Sequence, residues 1–203
     1  METFFSPERQ SSWAFGPFLH FLVLLNHHED YRAYARAHRD LFSRFGDHLG
    51  VVPEEWLHCT VQGIYTPTSA EQTERLIETT RREIARMHPF TVQMGPTWPG
   101  VTGVTMAMYP ETGVADLNER VRAAVEAVPG IELRPGAAKF WAHSTLAYVR
   151  NGEFDDGPLN RGRRDLRPER VDVTIDRVHL VNQRQDPAAG YYTWEVVEEF
   201  PFA

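Results

Sequence analysis

The sequence predicts an α+β fold with largely antiparallel sheets. Three observations carry that class. Short apolar runs of strand length alternate with amphipathic helical stripes, and some of the strand runs follow one another directly as hairpin-like pairs. Neither the dinucleotide nor the P-loop glycine pattern occurs, so a doubly wound parallel sheet loses its usual signature. The order read from the chain is β-α-β-α-β-β-α-β-β-β.

Phe18 to Leu25 is apolar, rich in aromatic and branched residues and flanked by Gly16-Pro17 and Asn26, which suits a buried strand. From Tyr31 the apolar positions Tyr34, Ala35, Leu41, Phe42, Phe45 and Leu49 keep a helical period up to Gly50 and Pro53, and predict one helix with Asn26 as a cap before it. Trp56 to Tyr65 reads as a second strand. Thr68-Ser69 followed by Glu71 and Gln72 marks a capping-box start for a helix to about Met87. Phe90 to Met94 and Val101 to Tyr109 predict two strands joined across Gly95-Pro96 and Pro99-Gly100. Val114, Leu117, Val121, Ala124, Val125 and Val128 then place one helical stripe before Pro129-Gly130. Strands follow at 140–149, 171–182 and 191–200. Between them, residues 150–170 have no periodicity and six arginines, and predict a long solvated loop.

With 203 residues, 42% hydrophobic and 24% charged, the chain is long enough to fold unaided as one domain of two intimately packed lobes, with residues 1–16 as an amino-terminal extension. Its 21 basic and 28 acidic side chains give a net charge of −7, the wrong sign for coating nucleic acid by backbone attraction, so any nucleic-acid contact is local. Lys139 is the sole lysine. The single cysteine, Cys59, excludes an intrachain disulfide and a thiolate zinc site and favours a reducing compartment. With no leader or membrane segment in sight, the expected location is the cytoplasm, with no membrane association and no obligate protein partner.

The chemistry lies in a pair of near-copies: Trp56-Leu57-His58-Cys59-Thr60-Val61 and Trp141-Ala142-His143-Ser144-Thr145-Leu146, their histidines 85 residues apart. On a strand, residues two apart share a face. Each copy therefore presents Trp, His and Thr on one side and small or apolar residues on the other. Two such strands, set by similar lobes about an approximate twofold axis, bring both imidazoles to one central cleft. Imidazole titrates near neutrality, so one ring serves as base and the other as acid. Phosphodiester cleavage needs that pair, and the two threonine hydroxyls suit the phosphate's non-bridging oxygens.

His58-Cys59-Thr60-Val61 and His143-Ser144-Thr145-Leu146 resemble the duplicated His-x-Thr-x signature of the 2H phosphoesterase superfamily, which includes bacterial RNA 2′,3′-cyclic phosphodiesterases, often called 2′-5′ RNA ligases. The resemblance extends from about residue 17 to the carboxyl terminus. It implies a bilobal, pseudo-twofold fold of two mainly antiparallel sheets with flanking helices around the cleft. It implies an enzyme that opens a 2′,3′-cyclic phosphate to a 2′-phosphate on a nucleotide or short RNA end, without metal or cofactor. His58 and His143 would be the acid–base pair, and Thr60 and Thr145 the phosphate-binding hydroxyls. The alternative is a nucleotide- or RNA-binding protein with the same cleft and no significant turnover.

Trp56 and Trp141 share the histidine face by parity and are candidates for stacking a nucleobase. Lys139, Arg150, Tyr191, Tyr192 and Trp194 are weaker candidates, with surface charge or strand packing as the simpler role. His20 and His179 read as core histidines. Asn26-His27-His28-Glu29-Asp30 diverges too much along the chain for a metal site, and the parity of Cys59 turns it into the core.

Overall fold

The computed structural model describes residues 1–133 and 139–203. A short helix α1 (Pro7–Ser11) precedes β1 (Phe18–Leu24), α2 (Glu29–Ala37), α3 (Arg39–Ser43), β2 (Leu49–Val51) and a 3₁₀ turn over Glu54–Trp56. Then come β3 (His58–Gly63), α4 (Ala70–Ile84), β4 (Phe90–Pro99), β5 (Gly103–Tyr109), α5 (Thr112–Glu126) and β6 (His143–Val149). The chain closes with α6 (Gly157–Leu166), β7 (Val171–Ile175), β8 (Arg177–Asp186) and β9 (Tyr191–Pro201).

All strand pairs are antiparallel, in the order β7-β4-β5-β6-β3-β1-β8-β9, with β2 added alongside β6. The two expected sheets are thus two halves of one hydrogen-bonded path. The halves meet where β3 and β6 pair, and that contact is short. Sequence parity treats them as separate because nothing local to either strand announces an edge that another edge will find.

The path explains the apolar run of β1, every residue of which is buried. Leu19, Phe21 and Val23 face the main core, while Leu22 and Leu24 face the other side with Val181 and Trp194. The helices cross between the halves. α2, which follows β1 of one half, packs on β7 of the other, and α5, which follows β5, packs back on β3. Tyr31 of α2 reaches Ser144 of β6, its hydroxyl donating to Ser144 Oγ at 2.6 Å. Asn118 of α5 likewise donates from Nδ2 to the Val61 carbonyl of β3 at 2.6 Å.

Four expectations need correction. The helix predicted from Tyr31 onward breaks at His38, because the His38 Nδ1–H donates to the Tyr34 carbonyl at 3.0 Å, the acceptor the helix itself would have used. Its amino-terminal cap is His28 rather than Asn26, whose amide donates to the Glu55 carbonyl instead. The run 171–182 is divided at Asp176 into β7, at one end of the sheet path, and β8, next to the strand at the other end. Residues 150–170 contain α6, not only loop. There the buried positions are Leu159 and Arg163, an arginine standing where a helical stripe would carry an apolar residue. Gly162 also disguised the helix; a Cβ there would lie 2.5 Å from Leu41 Cδ1, so a larger residue would have to push the Leu41 side chain of α3 aside. The capping box at Ser69 and Gln72 forms as predicted, with both reciprocal hydrogen bonds present.

Candidate active site

Cys59 of β3 is paired with Ser144 of β6. In an antiparallel register that pairing sets residue 58 against 145 and residue 60 against 143, so each histidine faces the other copy's threonine. The two histidines lie diagonally about that single pairing, on the same side of the two strands. Behind them, Cys59 is fully buried and burial pushes its thiol up to about 12, which makes it a packing residue and no nucleophile.

Both imidazoles are held alike. His58 Nδ1 lies 2.8 Å from the carbonyl oxygen of Trp56, and His143 Nδ1 lies 3.0 Å from that of Trp141. A carbonyl only accepts, so each Nδ1 carries the proton and each Nε2 is left as the reactive nitrogen. Burial lowers the pKa of His58 to about 4, against the help of its carbonyl partner, with a smaller contribution from the neighbouring His143. His143 is also lowered by burial, again opposed by its carbonyl hydrogen bond. At neutral pH both rings are neutral in the free protein.

A cleft of about 780 Å³ opens on this face of the sheet, and Thr60, His143, Thr145 and Trp141 line it. His58 sits just behind that lining, 7% exposed, with Trp194 edge-on to its ring at 4.9 Å. No carboxylate lines the cleft among the described residues, whereas Arg9 and Arg122 do. The Arg122 guanidinium donates to Gln62 Oε1 at 2.9 Å. Two buried groups on the cleft wall, Thr105 Oγ1 and Gln183 Nε2, have no hydrogen-bond partner among the described residues. An acidic protein thus offers a cleft that favours anions. No group of His, Cys, Asp and Glu among the described residues has a metal-holding arrangement.

No family model matches the sequence, and no curated protein is similar to it in sequence. Solved structures are similar in shape. TT0787 of Thermus thermophilus superposes with a TM-score of 0.70 at 21% identity, over 91% of this chain and 97% of that one. E. coli LigT complexed with 3′-AMP gives 0.62 at 16% identity, over 91% and 97%. The fold is the 2H phosphoesterase fold. The MHV ns2 PDE domain shares it more distantly, with a TM-score of 0.52 at 12% identity over 67% of this chain and 86% of that one. LigT has also been crystallised with ATP, with NADP+ and with phosphate.

In this 2H fold both tryptophans of the repeats stand before their strands, which begin at His58 and His143. Trp141 is 48% exposed and stacks on the His143 ring, centroids 4.1 Å apart and planes at 16°. Trp56 lies away from the cleft lining and packs edge-on against Trp194. Lys139 pairs with Glu111 at 3.0 Å, and the Arg150 chain lies against Gly190. His179, buried as expected, meets Glu199 at 3.0 Å. His20 is buried too, yet it lines the cleft, stacked on Trp13 at 5.2 Å and edge-on to Tyr65. A Cβ on Gly63 would lie 2.7 Å from both the His20 and Tyr65 rings, so glycine there keeps that end of the cleft open. Arg9, Trp13, Arg122, Thr105 and Gln183 are cleft residues that sequence reading did not single out. Only Thr105 carried a local signal, a polar residue in an otherwise apolar strand.

No helix among the described residues is long and apolar enough to cross a membrane.

Proposed function

We propose that the chain is a phosphodiesterase that opens a 2′,3′-cyclic phosphate on a nucleotide or an RNA end to a 2′-phosphate, using His58 and His143 as general base and general acid and needing no metal. The observation that carries this reading is the 59-to-144 register, which sets two identically tethered imidazoles diagonally across one cleft, each opposite a threonine.

His58, the more strongly depressed ring, is the neutral base. Its Nε2 takes a proton from the attacking water as the new P–O bond forms. His143, nearer the open cleft, regains a proton when the anionic phosphate arrives beside it, because an opposite charge raises an imidazole's pKa. It gives that proton to O3′ as the P–O3′ bond breaks, which leaves the phosphate on O2′. Thr60 and Thr145 donate to the non-bridging oxygens as charge accumulates on them. Arg9 and Arg122, the latter also paired with Glu126 at 3.6 Å, are the cations on the cleft wall.

The test is hydrolysis of 2′,3′-cyclic nucleoside monophosphates and of a short RNA ending in a cyclic phosphate, in EDTA, with the product's phosphate position read by chromatography. Turnover to the 2′-phosphate supports the reading. Nucleotide-dependent thermal stabilisation without turnover would leave a binding protein in its place.

A further inference from the structure

A second cavity, of about 740 Å³, lies beyond the cleft at the open edge of β4, between Pro96–Pro99 and residues 160–170. Pro99 lines both cavities, so they adjoin. The registers show how the cleft reaches it. Thr145 of β6 is opposite Thr105 of β5, and Thr105 is opposite Trp98 of β4, so the three share one face of the sheet. Trp98 is therefore two strands from the motif threonine, roughly 10 Å at the usual strand spacing. Its indole is 51% exposed and lines the second cavity.

The cavity's charge is one-sided. Arg163, Arg164, Arg167 and Arg170 line it against one carboxylate, Glu169. Arg163 is 7% exposed, yet no carboxylate lies within ion-pairing distance of it among the described residues. Its guanidinium donates to the Thr97 carbonyl at 2.7 Å, to Thr97 Oγ1 and to Asn160 Oδ1, and its Nε has no partner. A buried cation without a counter-charge is expensive, and an anion bound in the cavity would relieve that cost. Arginine forks suit phosphate oxygens, and an exposed indole suits the face of a base.

We propose that this cavity is a second nucleotide subsite, in which Trp98 stacks a base and Arg163, Arg164, Arg167 and Arg170 hold backbone phosphates of a single-stranded RNA whose end lies between His58 and His143. The inference rests on the phosphodiesterase reading for what occupies the first cleft. The span from Thr145 to Trp98 is a reach of two or three stacked nucleotides at about 3.4 Å each. The preferred substrate is then an oligonucleotide end, and a mononucleotide uses only half of the surface.

The test compares the full chain with Arg164→Glu/Arg167→Glu and with Trp98→Ala, all exposed positions. A fluorescent five-nucleotide RNA bearing a 2′-phosphate is followed by anisotropy, and cyclic mononucleotide hydrolysis is followed alongside. The expected result is at least ~10-fold weaker RNA binding in both variants, with a shallower salt dependence in the arginine variant and mononucleotide turnover unchanged. RNA binding that is absent in the parent protein, or equal in parent and variants, overturns the subsite. Should mononucleotide turnover be absent throughout while RNA binding still depends on Trp98 and the arginines, the subsite stands and the catalytic reading fails.

Discussion

Cys59 lies directly opposite Ser144, and among the described residues this is the single register position at which β3 and β6 pair. Each pattern residue of one repeat is thereby placed by the other. Displacing β3 against β6 by one residue would turn His58 and Thr60 into the core and Cys59 outward while His143 stayed in place, so the two histidines would no longer share a face. The front of the pair is symmetric, while the back is not: Ser144 accepts the Tyr31 hydroxyl, and Cys59 packs among apolar neighbours.

His58→Ala and His143→Ala should each lower kcat on a 2′,3′-cyclic nucleotide by ~10²–10⁴ while leaving the fold intact. Thr60→Val and Thr145→Val should each lower it by ~10–10³. Steady-state kinetics and circular dichroism on the same preparations check both statements.

The acid and base assignment has its own readout. A p-nitrophenyl phosphodiester has a leaving group that departs without protonation. On that substrate His143→Ala should regain much of the parent rate, whereas His58→Ala should stay impaired. The opposite pattern would exchange the two roles.

Burial lowers the pKa of His58 from 6.5 to about 4. The unfolded chain therefore binds the proton more readily than the folded one between those values. The contribution is fully present above pH 6.5 and is lost as the pH falls towards about 4, by an amount of about 3 kcal/mol for this ring. His38, His143 and His179 are lowered in the same direction, each mainly by burial, and add to the loss. Urea midpoints should thus drop steeply between pH 6.5 and 4, and less steeply in His58→Asn.

Ser144→Ala would leave the Tyr31 hydroxyl buried with no acceptor, a change worth about 1–3 kcal/mol. Tyr31→Phe combined with Ser144→Ala should recover part of that loss. Denaturation curves for the single and double variants check this, and a double variant no more stable than Ser144→Ala would show the hydroxyl to be satisfied elsewhere.

Much of the site's geometry was legible because it repeats. One His-x-Thr says little, but two copies with matched parity specify a shared face; Thr60, His143 and Thr145 line the cleft and His58 is buried beside it. The tryptophans were less legible: strand parity was extended to Trp56 and Trp141, although neither is in a strand. Periodicity failed at α6, where Arg163 takes the core position and Gly162 the crowded one, both dictated by neighbours remote in sequence. The cleft's far end was invisible for the same reason. Arg9 and Trp13 at the amino terminus, His20 of β1 and Arg122 of α5 come from three separate segments, and only tertiary packing brings them together.

The crossing of α2 and α5 has a further consequence. Each half of the sheet is covered by a helix that the other half's strands lead into, and Tyr31 and Asn118 fasten these helices to the opposing motif strands. The halves are clasped like folded hands. Neither is a free-standing piece, so a chain cut in the 64–69 connection would yield two fragments that recover their shape only by reassembling.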